Sequence, residues 1–306
     1  MKRLEPLQRG DTVTIVAPAR KVSEAGLRPA IEELESWGLD VKLPKGIYGE
    51  ENQFAGSDEE RREMIQWALD EEEIKAVFCA RGGYGTVRVI DRLDFRGLAE
   101  NPKWIVGYSD VTVIHSHVNR QRLCPTLHAT MPINVPEKRE ERDCPSLRSL
   151  KKMLFEGHEE YETEAHTLNR PGEAKAEVVG GNLSILYSLL GSPSDVDTEG
   201  KILLIEDLDE YLYHIDRMMQ NLKRNGKLRG LKGLIVGGLT DMHDNTVPYG
   251  KTAEEIVAEA VAEYGYPVCY RAPFGHIGTE NRALLLGGEM EMKSRGDGSF
   301  ELKTRI

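Results

Sequence analysis

Trp104-Ile-Val-Gly-Tyr-Ser-Asp-Val-Thr112 runs from an apolar strand through Gly107 into the polar start of a helix, and it presents Ser109 at the turn. A serine on such a strand-to-helix turn stands clear of the sheet. Helix N–H groups are then at hand for a developing oxyanion, which is how a nucleophile elbow works. The G-x-S-x-G pattern is incomplete, because Val111 stands where its last glycine would be. The competing role for Ser109 is that of a helix cap.

A serine nucleophile needs a base. Of the eight histidines, His115 and His117 fall on the helix after Ser109, two positions apart and so on different faces, which argues against a shared site. They read as solvated or packed. His276 lies in Phe274-Gly-His-Ile-Gly278, where flanking glycines free the backbone to hold an imidazole in an unusual turn. A loop histidine at a strand end is better placed for catalysis than a helical one; the competing role is an exposed turn residue. The base in turn needs an orienting carboxylate. Glu206 directly follows Ile202-Leu-Leu-Ile205, at the carboxyl end of an apolar strand where the sites of α/β proteins gather. Asp207, Asp209 and Glu210 read as charges in the first turn of the next helix. The order Ser109, Glu206, His276 is that of α/β-hydrolases, except that here the carboxylate comes from another domain.

Arg81-Gly-Gly-Tyr-Gly-Thr86 follows a strand and can cradle an anion. It completes neither G-x-G-x-x-G, since Arg88 takes the last glycine position, nor a P-loop. Beside a serine elbow, such a turn would supply the second N–H of an oxyanion hole. Asp241-Met-His-Asp244 is the one compact ligand-rich cluster, and it lacks the i, i+4 histidine pair of a zinc helix, so no metal site is assigned. Cys79, Cys124, Cys144 and Cys269 are widely spaced, which fits neither zinc nor a disulfide framework; Cys79 and Cys269 read as buried free thiols. A reducing cytoplasm is the expected location.

The elements that must position these groups follow from size and pattern. At 306 residues the chain exceeds what one core usually fills, so two domains are expected. Hydrophobic residues make up 40% and charged residues 30%, which excludes disordered and fibrous classes. A net charge of −11 argues against nucleic acid as a partner. The longest apolar runs fall far short of a membrane span. Strands are expected over Thr12–Ala17, Asp40–Leu43, Ile74–Ala80 and Trp104–Tyr108, alternating with helices, as in a parallel sheet covered on both faces. One helix carries Leu27, Ala30, Ile31, Leu34 and Trp37 on a face; the next opens on a capping box, Ser57 with Glu60. The pattern predicts a parallel-sheet N-terminal domain over 1–135, a connection over 136–175, and a smaller mixed domain over 176–306.

Several segments together resemble the LD-carboxypeptidase family of serine peptidases, which includes the microcin C immunity proteins. They are Gly10-Asp-Thr-Val-Thr-Ile-Val-Ala-Pro18, Arg81-Gly-Gly-Tyr-Gly85, Gly107-Tyr-Ser-Asp110, Gly180-Gly-Asn-Leu183, Ile205-Glu-Asp207 with Tyr213-His-Ile-Asp-Arg217, and Gly275-His276. The resemblance spans nearly the whole chain, and it is carried by the order and spacing of the segments jointly. It implies an α/β fold with a Rossmann-like N-terminal domain and a smaller β-rich C-terminal domain. It implies Ser109 as nucleophile, His276 as base and acid, Glu206 as its orienting carboxylate, and an oxyanion hole from the backbone N–H groups of Gly83 and Asp110. It further implies a homodimer, no cofactor, and a small murein peptide as substrate, from which terminal D-Ala is released. Arg81 is a candidate for the substrate carboxylate. Three alternatives stand beside this: a microcin C-type peptidase cleaving an aminoacyl-nucleotide amide, an inactive peptide-binding homologue, and a nucleotide-binding Rossmann enzyme.

Overall fold

Gly10 and Asp11 turn the chain into β1 (Thr12–Val16), and α1 (Glu24–Ser36) returns it to β2 (Asp40–Lys42). Ser23 caps α1 by accepting the N–H of Gly26. α2 (Asp58–Asp70) opens on the expected capping box, with Ser57 and Glu60 bonding each other's backbone N–H groups. It leads to β3 (Ile74–Cys79); α3 (Arg96–Glu100), β4 (Trp104–Gly107), α4 (Thr112–Arg120) and β5 (Thr126–His128) follow. The five strands are parallel in the spatial order β5, β4, β3, β1, β2. The near-continuous apolar runs of β3 and β4 are those of strands buried on both faces, whereas β2, at the edge, is Asp-Val-Lys and largely exposed. Each observed strand ends one residue before its expected limit, where the chain leaves the sheet to form the loops of the site. The computed structural model describes all 306 residues.

The second half repeats the alternation. After α5 (Pro145–Glu156) and β6 (His158–Glu162) come β7 (Glu173–Asn182), α6 (Leu183–Leu189), β8 (Ile202–Leu208), α7 (Leu212–Arg224), β9 (Gly233–Thr240), α8 (Ala253–Ala260) and β10 (Val268–Cys269). β7 to β10 are parallel neighbours in sequence order. The chain then forms β11 (Leu284–Leu286), β12 (Glu289–Ser294) and β13 (Phe300–Arg305). β12, β13 and β6 extend the second sheet antiparallel beyond β7. The result is a two-domain α/β protein. None of its helices is long and apolar enough to cross a membrane.

The two sheets are interlocked. The stretch 136–175 carries α5, whose Leu147, Leu150, Met153 and Leu154 join the N-terminal core, and β6, which pairs with β13. β11 leaves the C-terminal half to pair antiparallel with β5, as the sixth strand of the first sheet. Leu285 faces the N-terminal core, while Leu284 and Leu286 face the core beneath β12 and β13.

One expectation is corrected here. Asp207 belongs to β8 and is buried, and α7 begins only at Leu212 with no acidic residue in its first turn. Asp207, Asp209 and Glu210 therefore do not serve the dipole of α7. The strand runs further than its apolar stretch because Glu206 and Asp207 find partners inside the protein.

Candidate active site

Ser109 has φ of 64°, a left-handed conformation that side-chain-bearing residues rarely adopt. It begins a single 3-10 turn, Ser109–Val111, whose cap is Tyr108, and α4 continues from Thr112. Ser109 thus sits inside the turn rather than capping it. Gly107 allows this, since a β-carbon there would lie 2.9 Å from the Val111 side chain. Ser109 is half-buried while Asp110 and Val111 are buried, and the left-handed residue is the serine, the arrangement of a nucleophile elbow.

The Arg81–Thr86 loop lies against this turn. A β-carbon on Gly82 would stand 2.9 Å from Ser109 Cβ and 3.0 Å from its Oγ. Two buried side chains pin the loop. Arg61 donates to the carbonyls of Pro18 and Gly85 at 2.8 and 2.9 Å, and Asp110 Oδ2 accepts the N–H of Thr86 at 2.9 Å. Burial pushes the Asp110 carboxyl upward, against the hydrogen bonds from Thr86. Gly83 has φ of 110° and is exposed. Arg81 is half-buried, and its hydrogen bond goes to the Lys21 carbonyl at 3.4 Å.

Glu206 and His276, seventy residues apart in sequence, meet directly. His276 Nδ1 lies 2.6 Å from Glu206 Oε2, and the His276 N–H reaches the same oxygen at 3.3 Å. The local backbone makes this possible. The register of β8 against β9 shifts between Ile205 and Asp207, leaving Gly237 and Gly238 together opposite the single residue Glu206. A β-carbon on Gly237 would sit 2.4 Å from the Phe274 carbonyl, so only glycine admits the 274–276 loop at that point. Gly275, at φ of 97°, is tighter still: its β-carbon would lie 2.4 Å from Glu206 Oε2. Gly275 N–H donates to Asn281, and Thr240 Oγ1 donates to the His276 carbonyl at 3.0 Å.

Electrostatics favour an ionised carboxylate beside a basic imidazole. Burial pushes the Glu206 carboxyl up, but the imidazoles of His128 and His276 outweigh it and hold the group at about 2. Burial pulls His276 down, and its hydrogen bond to Glu206 and that residue's charge more than offset this, leaving it above the usual histidine value. A carboxylate only accepts, so Nδ1 of His276 carries the proton and Nε2 keeps its lone pair. Tyr108 links this pair to the serine: it precedes Ser109, and its ring centroid lies 4.8 Å from that of His276.

Sequence models of the LD-carboxypeptidase N-terminal and C-terminal domains match residues 13–129 and 175–292. The chain belongs to the LD-carboxypeptidase family. A probable murein peptide carboxypeptidase of Bacillus subtilis is 36% identical over 298 residues, covering 94% of this chain and 90% of that protein. The crystal structure of a muramoyltetrapeptide carboxypeptidase from Oxalobacter formigenes superposes with a TM-score of 0.86 at 27% identity, over 96% of this chain and 99% of that one. The microcin C7 self immunity protein MccF, in complex with aspartyl sulfamoyl adenosine, superposes with a TM-score of 0.84 over 99% and 98% of the chains. At 19% identity this last likeness is one of fold. The family match carries a carboxypeptidase function.

Sequence reasoning missed three residues of this LD-carboxypeptidase-family site. His128, at the end of β5, is fully buried with Nε2 3.9 Å from Glu206 Oε1. It ends a strand that lies beside the one ending at Gly107. Asp207 accepts from Asn182 Nδ2 and the Ser184 N–H at 3.0 and 2.8 Å; burial, with the Glu206 charge adding, raises it to about 7. Asn182 in turn donates its N–H to Thr112 Oγ1 at 3.0 Å, which ties β7 to the start of α4. His115 and His117 are both packed: His115 donates to the Gly107 carbonyl and His117 meets Ser194. Burial holds His115 down to about 3. In the Asp241–Asp244 segment, His243 pairs with Asp209, and Asp244 accepts the Tyr249 N–H. All four cysteines are free and buried.

Proposed function

We propose that this chain is a serine carboxypeptidase that hydrolyses the L,D amide bond of murein tetrapeptides and releases terminal D-Ala. The observation that carries the reading is the 2.6 Å bond between His276 Nδ1 and the buried Glu206, set beside the ring of Tyr108, whose chain neighbour Ser109 is held at positive φ. Ser109 Oγ attacks the carbonyl carbon while His276 Nε2 takes its proton. Glu206 fixes the imidazole tautomer and stabilises the imidazolium. The tetrahedral intermediate collapses as the C–N bond breaks, and the departing D-Ala amine receives the proton from His276. Water, deprotonated by His276, then attacks the acyl-serine and restores Ser109.

The N–H groups of Gly83 and Asp110 are assigned to the oxyanion, each such donor being worth about 10²–10³ in rate. The anchoring of the 81–86 loop by Arg61 and Asp110 supports this assignment. Arg81 is assigned to the substrate's terminal carboxylate. Neither metal nor cofactor enters any step. The free cysteines support a cytoplasmic location, and a homodimer completes the reading.

Mass spectrometry of protein incubated with monomeric murein tetrapeptide tests the proposal. D-Ala release by wild type, with or without chelator, and none by Ser109→Ala, is the expected result. Turnover retained by Ser109→Ala would overturn it. The fold likeness to MccF favours a second substrate, an aminoacyl-nucleotide amide. Comparing rates on the two substrates decides between them, since such unlike ligands differ by several kcal/mol in binding.

A further inference from the structure

Glu206 is fully buried, and its two carboxylate oxygens are served unequally. Oε2 takes both donors from His276, while Oε1 meets no hydrogen-bond partner. An ionised carboxylate held out of water needs its remaining lone pairs met. The group that faces Oε1 is His128 Nε2 at 3.9 Å, and neither ring nitrogen of His128 has a partner of its own. Two buried polar atoms, each unpaired, thus point at each other across a gap that closes with a shift of about 1 Å.

We propose that His128 is a positioning residue for the Glu206–His276 pair, its Nε2–H holding the second oxygen of the carboxylate so that Glu206 stays ionised and aimed at His276. The inference rests on the serine-peptidase reading above.

The surroundings leave His128 no other task. Its backbone lies between Gly107 of β4 and Leu284 of β11, so the ring cannot leave the site without disturbing the sheet. Tyr108 stands 5.8 Å away by ring centroid and His115 6.5 Å away. His115 has committed its Nε2–H to the Gly107 carbonyl. The titratable groups facing the pair are Tyr108 before the serine turn, His115 from α4, His128 from β5, and Asp207 from β8; β11 offers only leucines. Among these, His128 alone can donate to Oε1 without giving up a bond.

The effect on titration has a definite sign. A donor on Oε1 stabilises the pair most when it carries its full negative charge, that is, with His276 neutral. Removing the donor makes the pair more basic, so the acid limb of kcat/KM moves to higher pH.

The experiment compares His128→Met, which keeps bulk without a donor, with His128→Gln, which keeps an N–H. D-Ala release is followed across pH beside wild type and Ser109→Ala, and the downfield Nδ1 proton of His276 is titrated by NMR. His128→Met should lose about 10²-fold in kcat with KM little changed. Its acid limb and its NMR midpoint should move up by about one unit. His128→Gln should recover most of both. If His128→Met does not fold, His128→Phe takes its place. Wild-type kcat and limb in the donor-free variant, or equal losses in both variants, would overturn the inference. An inactive wild type would instead overturn the murein-peptide reading and an active Ser109→Ala the serine-peptidase reading, and the NMR midpoints would still decide the role of His128.

Discussion

Gly82 and Ser109 touch so closely that no methyl group fits between them: a β-carbon on Gly82 would fall 3.0 Å from Ser109 Oγ. The backbone conformation at Gly82 is one any residue adopts, so Gly82→Ala tests proximity alone. The added methyl must displace the hydroxyl, and displacement of a reacting group by about 1 Å costs on the order of 10² in rate. Steady-state kinetics should show kcat reduced to that extent, and because the same β-carbon would lie 2.9 Å from Ser109 Cβ, denaturation should show a loss of about 1–3 kcal/mol. Gly265→Ala, where a β-carbon meets nothing within 4 Å, serves as the control.

Ser109 holds a conformation that costs a non-glycine residue about 1 kcal/mol. Ser109→Ala keeps that strain and Ser109→Gly relieves it. Both should be inactive, and calorimetry should find the glycine variant more stable than the alanine variant by up to about 1 kcal/mol, part of the gain being lost to its more flexible unfolded chain. Equal stabilities would show that the elbow is not strained.

The acid limb of kcat/KM reports His276 in the free enzyme, because the base must be neutral. Its pairing with Glu206 places that limb above the ordinary 6.5. Glu206→Gln removes the charge and leaves burial opposed only by the weaker influence of Asp207. The limb should then move down while kcat falls by about 10²–10⁴, as expected when an orienting carboxylate is lost. The same pair shapes stability. The Glu206 contribution is full above pH 4.5 and is lost as pH falls through about 2, whereas the His276 contribution is full below 6.5 and is lost as pH rises through its elevated value. Urea melts across pH check both slopes.

Asp110 joins the serine turn to the 81–86 loop through Thr86. Asp110→Ala leaves that N–H buried without a partner, at a cost of about 1–3 kcal/mol. Chemical denaturation should show this loss, and kcat should fall because Gly82 and Gly83 are no longer held. Asp110→Asn keeps an acceptor and should restore most of both. If alanine and asparagine behave alike, the bond to Thr86 does not position the loop.

Four of the five parallel strands of the N-terminal sheet were legible, β1, β3 and β4 because each is a short apolar run, and Ser109 was legible because its turn follows β4; β5, three residues long, was not foreseen. Glu206 and His276 were visible as types in favourable places, but their pairing, across seventy residues, depends on the β9 bulge and on Gly275. Asp207 was misread because an acidic residue before a helix ordinarily serves that helix; here the strand continues and the carboxylate turns inward to Asn182. His128 left no pattern, since one buried histidine in a three-residue strand has no periodicity to betray it. β11 was equally hidden: Leu284–Leu286 reads as an ordinary strand, and nothing local says which sheet it joins.

The placement of β11 also sets the order in which a ribosome can finish this molecule. Residues 1–135 carry Ser109 and all five parallel strands, yet the edge of β5 stays bare until Leu286 has been made, more than 150 residues later. An unpaired strand edge invites foreign pairing, so the nascent chain carries its greatest aggregation hazard during that interval. The same delay has a protective side. His276 is made only ten residues before the sheet is closed, so under the proposed mechanism a half-made chain would hold Ser109 without its base until synthesis is nearly over.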